Sequence, residues 1–237
     1  MFNLKEKFKF LEDGIDFPFY NDIPKLSTWE WAILVIAVII LALEALFHWI
    51  PQPYSFVMYF LLMVVPAIYI CKGNYGLFFK KPKLGDIKTI ILCFLLYVIY
   101  ACIIGLALHH FGVPLARDSA VATNFSLSFI AGLFFQLVGE EFFKIFILLI
   151  VMYLVYRLTN NRNMAIGVGI VVTLFTFGIA HIGAYGSLLQ VLLIQGLGTI
   201  FNLYAYMKTK NVVVSFIVHL LVDLYGYFAQ IGFHSMM

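Results

Sequence analysis

Seven runs of roughly twenty mostly apolar residues fill this 237-residue chain, at about 29–50, 53–71, 87–109, 124–156, 164–185, 187–207 and 211–232. A helix of about 20 apolar residues matches the roughly 30 Å hydrocarbon core of a bilayer, so each run reads as one transmembrane helix. With 63% apolar and 11% charged residues, the chain lies outside the composition of a soluble globular domain, which is about half apolar. The expected fold is all-α, a polytopic membrane bundle of about seven transmembrane helices. The fourth run is too long for one perpendicular span, because at about 1.5 Å per residue it would reach nearly 50 Å. It must tilt, project into the cytoplasm, or begin with a short interfacial helix.

The loops carry a matching charge pattern. Cytoplasmic loops concentrate Lys and Arg, and here Lys5, Lys7, Lys9, Lys25, Lys72, Lys80, Lys81, Lys83, Lys88, Arg157, Arg162, Lys208 and Lys210 fall on one side. Of the 15 basic residues, only Arg117 lies on the other side, and Lys144 lies within a span. The amino terminus is therefore expected in the cytoplasm and the carboxyl terminus outside. The net charge of +3 reports this topology and no nucleic-acid surface, since no basic patch is interleaved with aromatics. Cys71, Cys93 and Cys102 are odd in number, lack C-x-x-C spacing and sit in or beside apolar runs, which makes them packing residues. Glu6, Glu12, Asp13, Asp16 and Asp22 interrupt any apolar core that a cleavable signal would need. With Phe2, Phe8, Phe10, Phe17 and Phe19 among those charges, residues 1–28 read as a cytoplasmic interfacial segment. Ser27 to Glu30 fits a capping box opening the first span, and residues 29–237 read as one membrane domain.

Polar residues inside the spans are the candidates for chemistry, because an acid or base at the centre of a spanning helix costs about 2.5 to 3.5 kcal/mol. The fourth run carries Glu140, Glu141 and Lys144. Helical repeats put Gln136, Glu140 and Lys144 on one stripe, with Glu141 about 100° round, facing a different neighbour. Two adjacent carboxylates in a low dielectric are not both expected to be charged at neutral pH. A buried ion pair that only fixes helix packing is the plainer alternative, though it needs a single acid. The fifth run carries Phe177-x-x-x-His181 and the seventh His219-x-x-x-Asp223. In the latter, imidazole and carboxylate share a face, so Asp223 can orient a proton-relaying or hydrogen-bond-donating His219. Interhelical hydrogen bonding is the plainer reading of both histidines. Glu44, near the outer end of the first span, is expected to snorkel and to have a structural or interfacial role, and His48, His109 and His110 fall at span ends. Gln195 and Asn202, seven residues apart, are expected to share a face and hold helices together.

Paired glutamates on one helix, F-x-x-x-H on the next, and H-x-x-x-Asn/Asp after a short intervening span resemble the CPBP family of CAAX proteases and bacteriocin-processing enzymes, also called the Abi family. The resemblance covers about residues 120–230. It implies an intramembrane glutamic endopeptidase in which Glu140 is the general base for water, Glu141 supports it, and His181 helps hold the water or transition state. His219 and Asp223 would stabilise the oxyanion. The family's first motif is E-E-x-x-x-R, whereas this chain has Ile145 at the arginine position and Lys144 one residue earlier. The cation has moved by about 100° round the helix and lost its bidentate fork.

Counted from the cytoplasmic ends, Glu140 and His181 lie about 25 to 27 Å deep but His219 only about 12 Å. Convergence then requires strong tilt or a non-helical segment over 211–215 dipping into a polar cavity; the second is the expectation. The leading functional reading is a peptidase of the bacterial plasma membrane cleaving small hydrophobic or membrane-associated peptides of pheromone or bacteriocin type. The expected partners are the membrane and a small peptide substrate, with no nucleic acid, no cofactor and no metal. The alternative is an inactive family member acting as a bacteriocin-immunity or membrane-sensor-binding protein, which the Lys144/Ile145 departure favours. A zinc protease lacks its H-E-x-x-H signature, and a transporter would use the buried acids as an ion path.

Overall fold

The computed structural model describes residues 8–10, 14–52, 54–115 and 127–234. Phe2, Lys5, Glu6, Lys7, Glu12, Asp13, Arg117 and the opening of the fourth run at Asn124 lie outside the described residues. Seven long helical segments follow one another within them. They are α1 (Thr28–Phe47), α2 (Tyr54–Cys71), α3 (Leu84–His110), α4 (Leu127–Thr159), α5 (Arg162–Ala180), α6 (Leu188–Thr209) and α7 (Val212–His234). The first six are long and apolar enough to cross a membrane, and α7 is apolar over the shorter stretch Val212–Phe228. The seven expected spans are thus all present as helices.

Local chemistry sets the ends. The Ser27 hydroxyl accepts from the Glu30 amide at 3.2 Å and the Glu30 carboxylate accepts from the Ser27 amide at 2.6 Å, closing the expected capping box on α1. Asn161 caps α5 by accepting from the Met164 amide at 3.0 Å. Asn160 (φ 48°) and Lys210 (φ 50°) turn the chain between α4 and α5 and between α6 and α7, and such short links make antiparallel neighbours. Within α6, a π-helical stretch over Val191–Gly196 separates two α-helical parts.

α4 lies at the centre, packed by α1, α2, α5 and α7. Phe142, Phe143, Ile145, Phe146, Leu148, Leu149 and Met152 of this helix are almost wholly buried. Glycine permits the closest approaches: a Cβ on Gly139 would come within 2.5 Å of the Tyr59 carbonyl oxygen on α2, and one on Gly178 within 2.8 Å of the Val191 carbonyl on α6. α3 is peripheral, packed against α6 and α7, with Ile91, Leu95, Ile99, Ile103 and Leu106 turned outward to where lipid would lie.

The starts of α1, α3, α5 and α7 and the ends of α2, α4 and α6 gather at one end of the bundle, together with every described Lys and Arg except Lys144. This basic end is closed by the amino-terminal segment. Phe17, Phe19, Tyr20 and Leu26 are buried in the main core, so they line protein and not an interface. Arg162 holds the Asp16 carboxylate with Nε at 2.7 Å and Nη2 at 2.6 Å. The last turns of α4 run along this segment and the start of α1, with Tyr156 edge-on to Tyr20 at 5.0 Å and Tyr153 stacked on Trp31 of α1 at 4.3 Å. The excess length of the fourth run is therefore spent against protein.

The expected non-helical stretch over 211–215 does not occur, because α7 is helical from Val212. The depth discrepancy has another cause. Lys210 and Asn211 are each only 1% exposed. Lys210 donates through Nζ to the carbonyls of Phe10 and Met207 and lies 4.0 Å from the Phe17 ring centroid. Asn211 donates to the Lys80 carbonyl at 2.8 Å, and the Val212 amide to the Phe78 carbonyl at 2.8 Å. α7 therefore starts inside the protein. Asn211 marks no bilayer boundary, and His219 sits deeper than a count from it implies.

Candidate functional site: an acid–imidazole cluster on the central helix

Glu140 and Glu141 occupy adjacent positions in the middle of α4 and diverge round it. Gln136 donates to Glu140 Oε1 at 2.6 Å one turn away, as the stripe requires. Lys144 does not continue that pairing; its Nζ binds Glu141 Oε1 at i,i+3 spacing, with both side chains 1% exposed. Lys144 Nζ also lies 3.3 Å from His219 Nδ1 and 4.8 Å from the Phe177 ring centroid. The cation displaced from the family position thus still reaches the cluster, while Ile145 packs in the apolar core.

α7 brings His219 between the carboxylates. Its Nδ1 is 2.8 Å from Glu141 Oε1, and its Nε2 is 3.7 Å from both Glu140 Oε2 and Asp223 Oδ1. The first contact is a hydrogen bond; the other two are longer than one. Asp223 is one turn beyond His219, with its side chain 24% exposed. His181 ends α5, where Nδ1 is 2.8 Å from the Phe177 carbonyl. A carbonyl only accepts, so Nδ1 carries a proton, which in a neutral ring leaves Nε2 as an acceptor. The Phe177 ring lies between the imidazoles, 4.6 Å from His181 and 6.0 Å from His219. All five expected residues therefore converge: Glu140, Glu141 and His219 share direct contacts, Asp223 borders His219, and His181 joins through Phe177.

Two further residues belong to the cluster: Ser215, which sequence reasoning passed over, and Asn202, which was expected only to hold helices together. Ser215 donates to Glu141 Oε2 and lies 2.8 Å from the Asn202 carbonyl oxygen; Asn202 Nδ2 is 3.5 Å from Glu141 Oε1. The signal for Ser215 is present in the sequence, as the stripe His219, Asp223 extended one turn back. Asn202 was expected to share a face with Gln195, but the π-helical stretch changes the rotation per residue between Gln195 and the following α-helical part. Gln195 Oε1 is left buried with no hydrogen-bond partner among the described residues.

Glu44 is corrected. It is 3% exposed and does not snorkel. Its Oε1 accepts from the Ile50 amide at 3.2 Å, holding the turn that ends α1, while Oε2 is buried without a partner among the described residues.

These features define a polytopic helical membrane protein with paired glutamates and two imidazoles gathered inside the bundle. Residues 122–225 match the family described as type II CAAX prenyl endopeptidase Rce1-like. That stretch holds all five expected site residues, and its similarity to this family of CAAX proteases supports a membrane protease of the CAAX type. No curated protein and no solved structure matches the chain.

Proposed function

We propose that the chain is an intramembrane endopeptidase in which Glu140 activates water against a peptide carbonyl. The observation that carries this reading is the position of His219, whose Nε2 faces both Glu140 and Asp223 at 3.7 Å while Nδ1 is engaged by Glu141 at 2.8 Å. Glu140 takes a proton from water as the oxygen bonds to the carbonyl carbon. An imidazolium at His219, donating to Glu141 from Nδ1, offers its Nε2–H to the oxyanion. The tetrahedral species collapses with cleavage of the C–N bond, and the proton held by Glu140 passes to the departing amine. Glu141 orients His219, Lys144 balances its charge, and His181 supplies an acceptor at Nε2 for the attacking water.

The substrates are small hydrophobic or membrane-associated peptides of pheromone or bacteriocin type, in a bacterial plasma membrane. The test is co-expression of the chain, and separately of its Glu140→Gln form, with a library of small secreted peptides, reading peptide termini by mass spectrometry. New termini that depend on Glu140 support proteolysis. A second reading, a binding protein on a protease scaffold, is favoured by Lys144 standing inside the cluster where the family has Arg elsewhere. Under it, the two forms give identical termini and share any immunity or signalling phenotype.

A further inference from the structure

The level of the site within the bundle follows from contacts between helices. On the antiparallel helices α1 and α4, the Trp31–Tyr153 stack at 4.3 Å sets a common level. Glu44 and Glu140 each lie about 20 Å from it at 1.5 Å per residue, hence level with each other. α1 ends at Phe47, about 5 Å further on. On α2, Gly139 touches the Tyr59 carbonyl, and α2 starts at Tyr54, about 8 Å away. α5 ends at His181 itself. On α1, α2 and α5 the cluster is thus within one or two helical turns of the ends opposite the basic one, whereas α4 and α7 run on past it by about 20 Å, to Leu127 and His234. In the other direction, Thr28 is about 24 Å from Glu44, Cys71 about 18 Å from Tyr59, and Arg162 about 28 Å from His181.

The two directions also differ in filling. Toward the basic end stand Phe142, Phe143, Phe146, Leu149 and Met152, each at most 1% exposed, then the buried Phe17, Phe19, Lys210 and Asn211. The partly exposed members of the site, Gln136, His181 and Asp223, all lie on the other flank of Glu140 and His219. On α4 and α7 these are the residues one turn nearer the far end.

We infer that the site takes its peptide from the end of the bundle opposite the Lys- and Arg-bearing loops. With those loops in the cytoplasm, the substrate class is an exported peptide, or the outer tail of a membrane peptide, cleaved at the level where α1, α2 and α5 end. This inference rests on the proteolytic reading for its substrate, and on geometry alone for the side of access.

Access can be measured without catalysis. In a form carrying Cys71→Ala, Cys93→Ala and Cys102→Ala, single reporters Gln136→Cys, Tyr185→Cys and, in the basic-end loop, Asn74→Cys are each exposed to a membrane-impermeant maleimide. Labelling is compared between intact spheroplasts and inside-out vesicles. The expected result is that Gln136→Cys and Tyr185→Cys label in spheroplasts and lose labelling in inside-out vesicles, with Asn74→Cys showing the reverse. Labelling of Gln136→Cys on the same side as Asn74→Cys, or on neither side, overturns the inference. Labelling of Asn74→Cys in spheroplasts overturns the external assignment. Tyr185→Cys keeps the test intact if the substitution at Gln136 disturbs the site. Failure of proteolysis would leave every labelling outcome unchanged and is read separately from peptide termini.

Discussion

At the basic end, Arg162 faces Asp16 as one cation for one acid. The guanidinium places two N–H groups on the carboxylate and others on the carbonyls of Phe8 and Lys9, and the Phe17 amide and Tyr20 hydroxyl complete the acid's shell at 2.8 Å each. At the far end, Glu140, Glu141 and Asp223 share Lys144 and His219, and two of the carboxylate–imidazole contacts stand at 3.7 Å. The first arrangement matches charge with geometry and fixes the amino-terminal segment. The second leaves acids in excess and the Nε2 side of His219 loosely engaged, which is the condition in which a proton can move and a reacting group can be received. The site is also the more buried of the two, with Glu141 and Lys144 each 1% exposed against about a quarter for Asp16 and Arg162, so it is stoichiometry and the long His219 Nε2 contacts that set it apart as reactive.

The largest effect that would break this contrast is on chemistry. Glu140→Gln keeps the shape and the Gln136 contact but removes the base, so cleavage should fall by about 10² to 10⁴-fold with thermal stability unchanged; equal rates in peptide-terminus assays would return the cluster to a structural role. Next comes Ile145→Arg, which restores the family spacing on paper. Position 145 faces the apolar core, so a buried unpaired guanidinium should cost about 3 to 5 kcal/mol. The measured outcome should be loss of folded protein in detergent, and full folding with higher activity would show that Lys144 is a defect. Smaller still, Arg162→Ala should lower Tm by about 4 to 8 °C, from roughly 2 kcal/mol of charge-assisted bonding. Peptide cleavage by the surviving fold should stay intact, and a selective loss of cleavage would mean that the two clusters are coupled.

The helices were legible because apolar runs of spanning length have one solution in a bilayer, and the five site residues were legible because acids and imidazoles at such depth are costly. What escaped was tertiary. Phe17 and Phe19 have the pattern of an interfacial segment, and only their contacts with Lys210 and Phe78, distant in sequence, make them core. Lys210 and Asn211 are a polar pair between two spans, which reads as a loop in water; their burial depends on Phe10, Phe78 and Lys80, far away in sequence. Lys144 could reach either glutamate by helical spacing, and His219 on another helix helps to settle it on Glu141. Ser215 shares the stripe of His219 and Asp223, but small polar residues such as Ser215 and Asn202 are common between membrane helices, so which carboxylate they meet is set only by how α6 and α7 are placed about α4.

The finest test of the contrast uses pH. Burial raises the Asp16 carboxyl, but the hydrogen bonds from Arg162, Tyr20 and the Phe17 amide, with the charge of Arg162, outweigh it and leave the group below its ordinary value of 3.8. The Tyr20 hydroxyl is pushed up by burial and then by Asp16, so it remains a donor throughout the acid range. A carboxylate with a depressed folded value stabilises the fold fully above its unfolded value and loses that contribution as pH falls through the folded one. The Tm difference between the native chain and Asp16→Asn should therefore be constant from pH 7 to about 5, at about 2 to 4 °C, and should close as pH falls below 3.8. A difference that widens on acidification would mean that Asp16 is protonated in the folded chain. The basic end would then no longer be the charge-matched counterpart of the site.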